Sequence, residues 1–350
     1  MALSGSDVSL APSLPPIRAD APEEIPVLDL GPYLAGKPGA LPRLSAELRR
    51  AFEEIGFYFI VNHGVPQSLV DAAFDAAERF HAQPLEEKLS IKINEQIVGY
   101  LPIRGATTRH SQINANNKPN VNEAFFARRE LAPDHPDVLA GKPSSSLNQW
   151  PANLPGFRET VVAYQNAMEA LGKSLLPIYA LALDLPADYF ERAFETPMYT
   201  LRMSHYPQQT EVVENEFGLA PHTDTSFMTM LAQNKVPGLS LRLPTGRWVD
   251  APAIDGALLV NGGDLLRRWT NDRFLATPHR VVNRSGRERY AIPFFMDCGA
   301  NVVMECLPTC RKDGKPPLYE PITYTAYMAW YRQMNYGKAK DRAGVNLAAY

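Results

Sequence analysis

Residues 221–233 read Pro-His-Thr-Asp-Thr-Ser-Phe-Met-Thr-Met-Leu-Ala-Gln, a His-x-Asp tripeptide followed directly by a strand-like run. In an extended chain, residues i and i+2 point to the same side. His222 and Asp224 can therefore present an imidazole and a carboxylate to one ion. The tripeptide alone is weak evidence, because a histidine at a strand end followed by a turn aspartate gives the same pattern.

A third possible ligand lies in residues 277–283, which read Thr-Pro-His-Arg-Val-Val-Asn. With His279, the two segments supply two imidazoles and one carboxylate. Such a facial triad leaves coordination positions open for substrate and dioxygen, and it suits Fe(II). The residues therefore predict an iron site at His222, Asp224 and His279. A zinc hydrolase could use the same ligands, but no candidate general base accompanies them at a comparable position.

Arg289 follows His279 closely in the sequence. If the chain between them forms an antiparallel pair, Arg289 can lie near the metal without binding it. A guanidinium in that place can pair bidentately with a carboxylate of a metal-bound ligand. Arg289 is therefore a candidate for binding a cofactor.

The run at residues 200–206, Thr-Leu-Arg-Met-Ser-His-Tyr, alternates as a strand does. Alternation places Arg202, Ser204 and Tyr206 on one face. Polar groups that face the inside of a barrel need partners, and a dicarboxylate cofactor would be a suitable one. An edge strand with one wet face would give the same pattern. Arg202 could also bind an anionic group of a substrate or form a buried ion pair.

Outward from these segments, helical patterns come first and strand-like runs come later. Apolar residues recur at helical spacing over residues 41–55, 65–88 and 157–183. Strand-like runs separated by turn residues follow at 200–206, 227–233, 239–243, 257–260 and 290–297, before a final helical pattern at 323–336. This order indicates an α+β protein whose second half is a sandwich or barrel.

Three regions are expected along the chain. Residues 1–22 are rich in Ser, Pro and Ala and are expected to form a flexible arm. Residues 23–155 are expected to pack on the core, with long Asn- and Pro-rich loops in their second half. Residues 156–350 hold the longest helix, the strand-rich core and the C-terminal helix.

Composition and charge are those of a globular protein with a large core. The charged fraction is 21 %, the hydrophobic fraction is 45 %, and the formal net charge is −3. This charge is too close to neutral for a nucleic-acid binder. The three cysteines, Cys298, Cys306 and Cys310, argue against a disulfide scaffold and for a reducing compartment. With no secretory signal and no membrane-spanning apolar run, we expect a soluble, cytoplasmic protein.

The ordered set of motifs resembles the isopenicillin N synthase-like branch of the Fe(II)/2-oxoglutarate-dependent oxygenases. The similarity runs from about Ile25 to Tyr336. The N-terminal part matches through IPVLDL (25–30) and AFEEIGFYFIVNHGVP (51–66), and the middle through GYLP (99–102) and NQWP (148–151). The catalytic half matches through PHTDTSFMTMLAQ (221–233), NGGDLLRRWTND (261–272), TPHRVVNRSGRERY (277–290) and IPFF (292–295).

This resemblance implies a distorted double-stranded β-helix, or jelly-roll, core with helices packed on one side. His222, Asp224 and His279 would bind Fe(II), and Arg289, assisted by Tyr206, would bind the distal carboxylate of 2-oxoglutarate. A small organic molecule would be hydroxylated, desaturated or cyclised by dioxygen while 2-oxoglutarate is converted to succinate. Ascorbate would serve to keep the iron reduced.

Two residues depart from the family pattern. Ala291 stands where most members have the Ser of Arg-x-Ser, which removes one hydroxyl donor to the cofactor carboxylate. Loss of such a charge-assisted bond costs about 1.5–3 kcal/mol. Ser204 stands where many plant members have Asn. Weaker binding of 2-oxoglutarate is therefore expected, without loss of the chemistry. Arg202 and Phe295 are the candidate substrate residues.

Two other functions stay open at this point. A relative that activates dioxygen without 2-oxoglutarate would fit the departure at Ala291. A non-enzymatic binding protein could also use this scaffold, although a retired site has no physical reason to keep three ligands and Arg289. The sequence indicates neither the primary substrate nor the oligomeric state.

Overall fold

A computed structural model of the 350-residue chain describes residues 14, 17–108, 113, 118–142, 145–208, 211, 213–312 and 314–336. The expected arm at residues 1–22 lies mostly outside this part. The helices are α1 (Gly31–Leu34), α2 (Ala40–Glu54), α3 (Gln67–His81), α4 (Leu85–Ser90), α5 (Pro136–Leu139), α6 (Phe157–Ala182), α7 (Asp264–Trp269) and α8 (Tyr324–Tyr336), with a short 3-10 helix at Pro308–Cys310.

The described strands form a large sheet, a smaller sheet and a separate two-stranded sheet made by the last two strands. They are β1 (Val27–Asp29), β2 (Phe57–Val61), β3 (Gly99–Leu101), β4 (Glu123–Arg128), β5 (Met198–Tyr206), β6 (Leu219–His222), β7 (Met228–Gln233), β8 (Leu239–Arg242), β9 (Trp248–Asp250), β10 (Leu258–Gly262), β11 (His279–Val281), β12 (Arg289–Asp297), β13 (Val303–Met304) and β14 (Ile322–Thr323). The major sheet has the order β1-β2-β10-β7-β12-β5-β4-β3, and the minor sheet has the order β6-β11-β8-β9. All pairs in these two sheets are antiparallel except β1 with β2.

The inner face of the major sheet packs on the minor sheet. One buried cluster joins Tyr206 and Ala291 of the major sheet to Leu239, Leu241 and Val281 of the minor sheet. Two packed antiparallel sheets of this kind form the expected jelly-roll core, so the predicted fold class is confirmed.

The outer face of the major sheet is covered by helices α2, α3 and α6. Apolar residues at helical spacing in α6, including Val161, Met168 and Leu175, are buried in the same cluster as Met203 and Phe294 of the sheet. Alternation along β5 therefore sends Met203 to the helices and its neighbours Arg202 and Ser204 to the space between the sheets.

One helical pattern, residues 65–88, is divided in the structure. Helix α3 ends at His81, and α4 begins at Leu85, directly after Pro84. Proline disfavours the helical conformation of the residue before it and lacks an N–H to continue the hydrogen bonding. The prediction of one continuous helix was therefore wrong.

The N-terminal strands are part of the major sheet. Strand β2 pairs with β10, and β4 pairs with β5, so residues 23–155 contribute both ends of this sheet. Among the described residues, no helix has the length and apolarity needed to cross a membrane.

Candidate active site

Two histidines meet across the first pair of the minor sheet. His222, the last residue of β6, lies opposite His279, the first residue of β11. Their ring centroids are 4.3 Å apart. Residues that are directly opposite in an antiparallel pair bring their side chains together on one face, so the register itself unites these distant positions.

Asp224 lies just beyond the end of β6, between these two histidines. Its Oδ1 is 3.7 Å from His222 Nε2 and 3.6 Å from His279 Nε2. The three side chains thus offer ligand atoms that all lie within 4.8 Å of one another. Two imidazoles and one carboxylate in this arrangement are a donor set for a divalent first-row metal.

Both histidines are oriented by backbone carbonyls. Nδ1 of His222 lies 2.9 Å from the Ala220 carbonyl, and Nδ1 of His279 lies 3.2 Å from the Thr277 carbonyl. If each Nδ1–H donates to its carbonyl, Nε2 is the deprotonated atom that faces Asp224. This is the usual way in which a metal-binding histidine is fixed.

The second oxygen of Asp224 is held by two polar side chains. Oδ2 accepts hydrogen bonds from Thr229 Oγ1 at 2.7 Å and from Asn261 Nδ2 at 2.8 Å. Burial alone would raise the pKa of Asp224, but the positive charge of His279 and His222, when they are protonated, lowers it, and these two hydrogen bonds lower it further. The carboxylate is therefore ionised and directs Oδ1 toward the histidines.

His222 and Asp224 lie where two cavities meet. The inner cavity, of about 50 Å³, extends between the sheets past Ser204 to Arg289. The outer cavity, of about 120 Å³, extends past Phe126 to Arg128. His222 and Asp224 line both cavities, so a metal held there faces a smaller cavity on one side and a larger one on the other.

The buried guanidinium of Arg289 lies at the end of the inner cavity. Arg289 is 1 % exposed, and its Nη2 donates to Gln233 Oε1 at 3.0 Å. Its Nε and Nη1 atoms have no hydrogen-bond partner among the described residues. Burial lowers the pKa of Arg289, but an arginine stays protonated. These donors fit a carboxylate that arrives with a ligand.

Three further residues of the predicted cofactor region line the same cavity. The Tyr206 ring lies opposite Arg289 in the β5–β12 register, with the guanidinium 5.1 Å from its centroid. Ser204 lies opposite Ala291, and its buried Oγ has no partner among the described residues. The Ser204 hydroxyl is therefore placed across from the position where Ala291 lacks one.

The two candidate substrate residues, Arg202 and Phe295, line both cavities. Arg202 donates from Nη2 to Asn122 Oδ1 at 3.2 Å, and its guanidinium lies 5.3 Å from the Phe126 ring centroid. The structure thus brings all the predicted site residues to one connected space.

Sequence reasoning missed the residues that hold the predicted ones. Thr229 and Asn261 bind Asp224, and Gln233 binds Arg289. Thr229 and Asn261 lie opposite each other in the β7–β10 pair. The sequence pointed to two of these three residues, because the alternation of β7 puts Thr229 and Gln233 on one face. It gave no indication of Asn261.

Two family models match this chain. The N-terminal model of the non-haem dioxygenases in morphine synthesis matches residues 25–153, and the 2OG-Fe(II) oxygenase superfamily model matches residues 197–297. A 2-oxoglutarate-Fe(II) type oxidoreductase, hxnY of Emericella nidulans, is 38 % identical over 91 % of this chain and 93 % of its own length. The chain belongs to the Fe(II)/2-oxoglutarate-dependent oxygenases.

Other members of this family are similar over nearly their whole length. Kihadalactone A synthase LFS of Citrus sinensis is 32 % identical over 92 % of this chain and 97 % of its own. A full-length Neurospora crassa protein, crystallised in complex with alpha-KG and thymine, has a TM-score of 0.79 at 26 % identity, covering 90 % of this chain and 99 % of that one. The structure of JOX2 with 2OG, Fe and JA has a TM-score of 0.73 at 26 % identity, covering 97 % and 96 %.

As a family member, the protein is an oxidoreductase that uses Fe(II) and 2-oxoglutarate. It couples the decarboxylation of 2-oxoglutarate to the oxidation of a small molecule by dioxygen. The expected fold, enzyme class and cofactors are therefore confirmed.

Proposed function

We propose that His222, Asp224 and His279 bind the iron of this oxygenase, and that the inner and outer cavities bind 2-oxoglutarate and substrate respectively. The observation that carries the proposal is the position of the His222–Asp224 pair at the junction of the two cavities. A metal bound there can contact ligands in both. When bound, Fe(II) and 2-oxoglutarate would allow dioxygen to act as the oxidant: 2-oxoglutarate would give up two electrons and leave as succinate and carbon dioxide, and the substrate would give up the other two.

Arg289 and Tyr206 are proposed to bind the distal carboxylate of 2-oxoglutarate. The support is that Arg289 is buried with two donor atoms unused among the described residues, and that Gln233 fixes its third nitrogen. A carboxylate at this end of the cavity could accept from one of these donors together with the second hydrogen of Nη2. Ser204 would add a hydroxyl donor along the same cavity and partly offset the absence of one at Ala291.

Other residues would hold the reacting groups in place. Thr229 and Asn261 keep Asp224 ionised and aimed at the metal position, and the Ala220 and Thr277 carbonyls hold the two imidazoles. Burial of this set between the sheets excludes bulk water, which strengthens each electrostatic contact. Arg202 and Phe295 would border the substrate, because they line both cavities.

We test the metal assignment by measuring succinate. The purified protein with Fe(II), ascorbate, 2-oxoglutarate and air should release succinate slowly without substrate and faster with a suitable one. His222→Ala or Asp224→Ala should reduce this release by at least about 100-fold, since each removes a ligand. Binding of Co(II), followed by its visible absorption, should weaken in parallel.

His135→Ala is the matched control, because His135 lies at the start of α5, far along the chain from the proposed site. It should keep both succinate release and Co(II) binding. Tight Co(II) binding without any succinate would instead favour the 2-oxoglutarate-independent oxidase. Succinate release that survives both ligand variants would refute the assigned triad.

We also propose that residues 23–155 serve as a region packed on the catalytic core at 156–350, that the enzyme is cytoplasmic, and that it has no nucleic-acid partner. The pairing of β4 with β5 supports the first point. The three buried, free cysteines support a reducing compartment such as the cytoplasm. The net charge of −3 supports the absence of a nucleic-acid partner.

A further inference from the structure

The far end of the outer cavity holds a buried cation that no described residue neutralises. Arg128, the last residue of β4, is 7 % exposed and lines this cavity. Its Nε has no hydrogen-bond partner, and no carboxylate lies within ion-pair distance of its guanidinium among the described residues. Burial lowers the pKa of Arg128, yet an arginine remains charged.

The neighbouring residue shows what a structural arginine looks like in this fold. Arg129 forms an ion pair with Glu169 at 3.0 Å and donates to the Pro197 carbonyl at 2.9 Å. Its guanidinium also lies over the Tyr199 ring. Taking a charge out of water is costly unless a partner compensates it. Arg128 has no such compensation within the described residues, so an external anion is the chemically reasonable partner.

The groups that face Arg128 do not remove this charge. Tyr324 of α8 lies nearby as a neutral phenol, because burial raises its pKa. Arg332 of α8 adds positive charge rather than negative. Asp297 lines the same cavity, but its Oδ1 accepts the Phe227 N–H, and burial raises the pKa of Asp297 to about 7.

A second guanidinium lies one step nearer to the proposed iron site. Arg202 is opposite Phe126 in the β4–β5 pair, and Arg128 is opposite Thr200. Arg202 and Arg128 are therefore diagonal neighbours on one face of the sheet, a separation that long side chains can span. The buried Nε of Arg202 also has no partner among the described residues.

The cavity wall carries apolar side chains among polar ones such as Thr108, Asn122 and Thr200. Leu101, Phe126, Phe295 and Met328 line it together with the two arginines. A pocket of this kind suits a ligand with an apolar body and one charged end, since a few polar groups fix the orientation while apolar surface supplies the contact area. The charged end must be negative to satisfy the guanidinium groups.

We propose that the substrate of this enzyme is a small organic acid, whose carboxylate binds to Arg128 while its apolar body lies past Arg202 and Phe126 toward the metal. This inference rests on the proposed function, because it takes the outer cavity as the substrate site. Arg128 thereby determines specificity, and it holds the oxidised carbon at the end of the molecule away from the carboxylate.

The test is a thermal unfolding series on the protein loaded with Fe(II) and saturating 2-oxoglutarate under nitrogen. The probes are benzoate, phenylacetate and hexanoate, each against its amide at matched ionic strength. The acids should raise Tm by at least about 2 °C and the amides should not, since a ligand stabilises the state that binds it. Arg128→Met should abolish the response to the acids, and Arg128→Gln is the second variant if the first does not fold.

Arg129→Met is the matched control and should keep the response to the acids. Equal shifts from acids and amides, no shift from any acid, or an unchanged response in both Arg128 variants would each overturn the proposal. The Tm shift caused by 2-oxoglutarate itself is read in the same series. Its absence would count against the proposed function, whereas its presence without acid selectivity would count only against the role of Arg128.

Discussion

At the scale of single residues, Arg289 shows how a buried charged side chain indicates the kind of ligand that a site binds. Its hydrogen-bond partner among the described residues is Gln233, which uses a single nitrogen of the guanidinium. The Gly238 backbone approaches so closely that an added Cβ would lie 3.3 Å from Arg289 Cδ. The side chain is therefore confined by its surroundings, and its remaining donors have a fixed direction before any ligand binds. Such preorganisation lowers the entropic cost of binding.

Replacing this residue should weaken 2-oxoglutarate binding far more than it weakens the fold. Arg289→Met should raise the KM for 2-oxoglutarate by at least about 100-fold, because two charge-assisted hydrogen bonds of about 1.5–3 kcal/mol each are lost. Arg289→Lys should recover part of the affinity, since it restores the charge but not the bidentate geometry. The measurement is succinate release against 2-oxoglutarate concentration.

The control for this experiment lies two residues away. Arg287 is exposed, and Arg287→Met removes the same charge from the same segment of the chain. It should leave the KM for 2-oxoglutarate within about twofold. An unchanged KM in Arg289→Met would show that another cation binds the distal carboxylate.

At the scale of elements, the sequence was sufficient wherever the signal was local. The spacing of His222 and Asp224, the alternation of β5 and the periodicity of α6 each depend on residues a few positions apart. The signal for the break between α3 and α4 at Pro84 was also local. It was overlooked because apolar residues recur at helical spacing on both sides of this proline. Helix α7 was not predicted, since its six residues are too few to establish a period.

Contacts that depend on strand register could not be predicted in this way. Asn261 reaches Asp224 because β10 pairs with β7 so that Asn261 lies opposite Thr229. A shift of one residue would turn Asn261 to the other face. Register is set by the whole sheet and its packing, so no pattern within residues 258–262 indicates this partner.

The crossing of α6 over β12 sets how closely the helical layer approaches the site. A Cβ on Gly172 would lie 2.2 Å from Met296 Sδ and 3.2 Å from Met230 Cε. Met296 stands between Phe295 and Asp297, which both line the outer cavity. The glycine therefore lets the helix lie against a strand that carries proposed substrate residues.

Gly172→Ala should consequently destabilise the protein by about 1–3 kcal/mol through overpacking. Helix propensity alone predicts the opposite, a gain of about 1 kcal/mol. Urea unfolding gives the free energy of unfolding, and Lys173→Ala, at the next position of the same helix, is the control. A more stable Gly172→Ala variant would show that the layers separate without cost.

At the scale of the whole molecule, a buried ionic network ties the N-terminal region to the core. Glu123 of β4 is 3 % exposed, and its Oε2 accepts from Lys88 of α4 at 2.9 Å. Tyr100 donates to the same oxygen, and Oε1 lies 2.7 Å from His205 Nδ1 of β5. His205 in turn pairs with Glu288, directly before Arg289.

This network resembles a second metal site in its donor atoms. His81, Glu123 and His205 also bring ligand atoms within 4.8 Å of one another. However, the Lys88 ammonium already supplies the cation that Glu123 needs, and a divalent ion beside it would be repelled. The cluster is therefore better understood as a buried ion pair that joins α3, α4, β4 and β5.

The protonation of this network makes its contribution depend on pH. Burial would raise the pKa of Glu123, but the hydrogen bond with His205, the nearby His81 and the Lys88 ammonium hold that pKa well below its usual value. A carboxyl with a lowered pKa stabilises the fold above its unfolded pKa of about 4.3, and this contribution is lost as the pH falls below that value. Burial lowers the pKa of His81, so this histidine takes up a proton more readily in the unfolded chain than in the folded one. Its protonation therefore destabilises the fold as the pH falls below about 6.5.

Glu123→Gln should therefore lower the free energy of unfolding at pH 7 by about 3–5 kcal/mol, because it leaves the Lys88 ammonium buried without its counter-ion. Urea unfolding at pH 7, 5 and 3.5 should show this difference shrinking below about pH 4.3, where the unfolded wild-type Glu123 takes up a proton. The dependence on His81 near pH 6.5 should persist in the variant.

Glu130→Gln is the control, because Glu130 pairs with Arg158 at the surface. This variant should lower the free energy of unfolding by less than about 1 kcal/mol. A loss of equal size at all three pH values would mean that Glu123 acts through packing rather than through its charge.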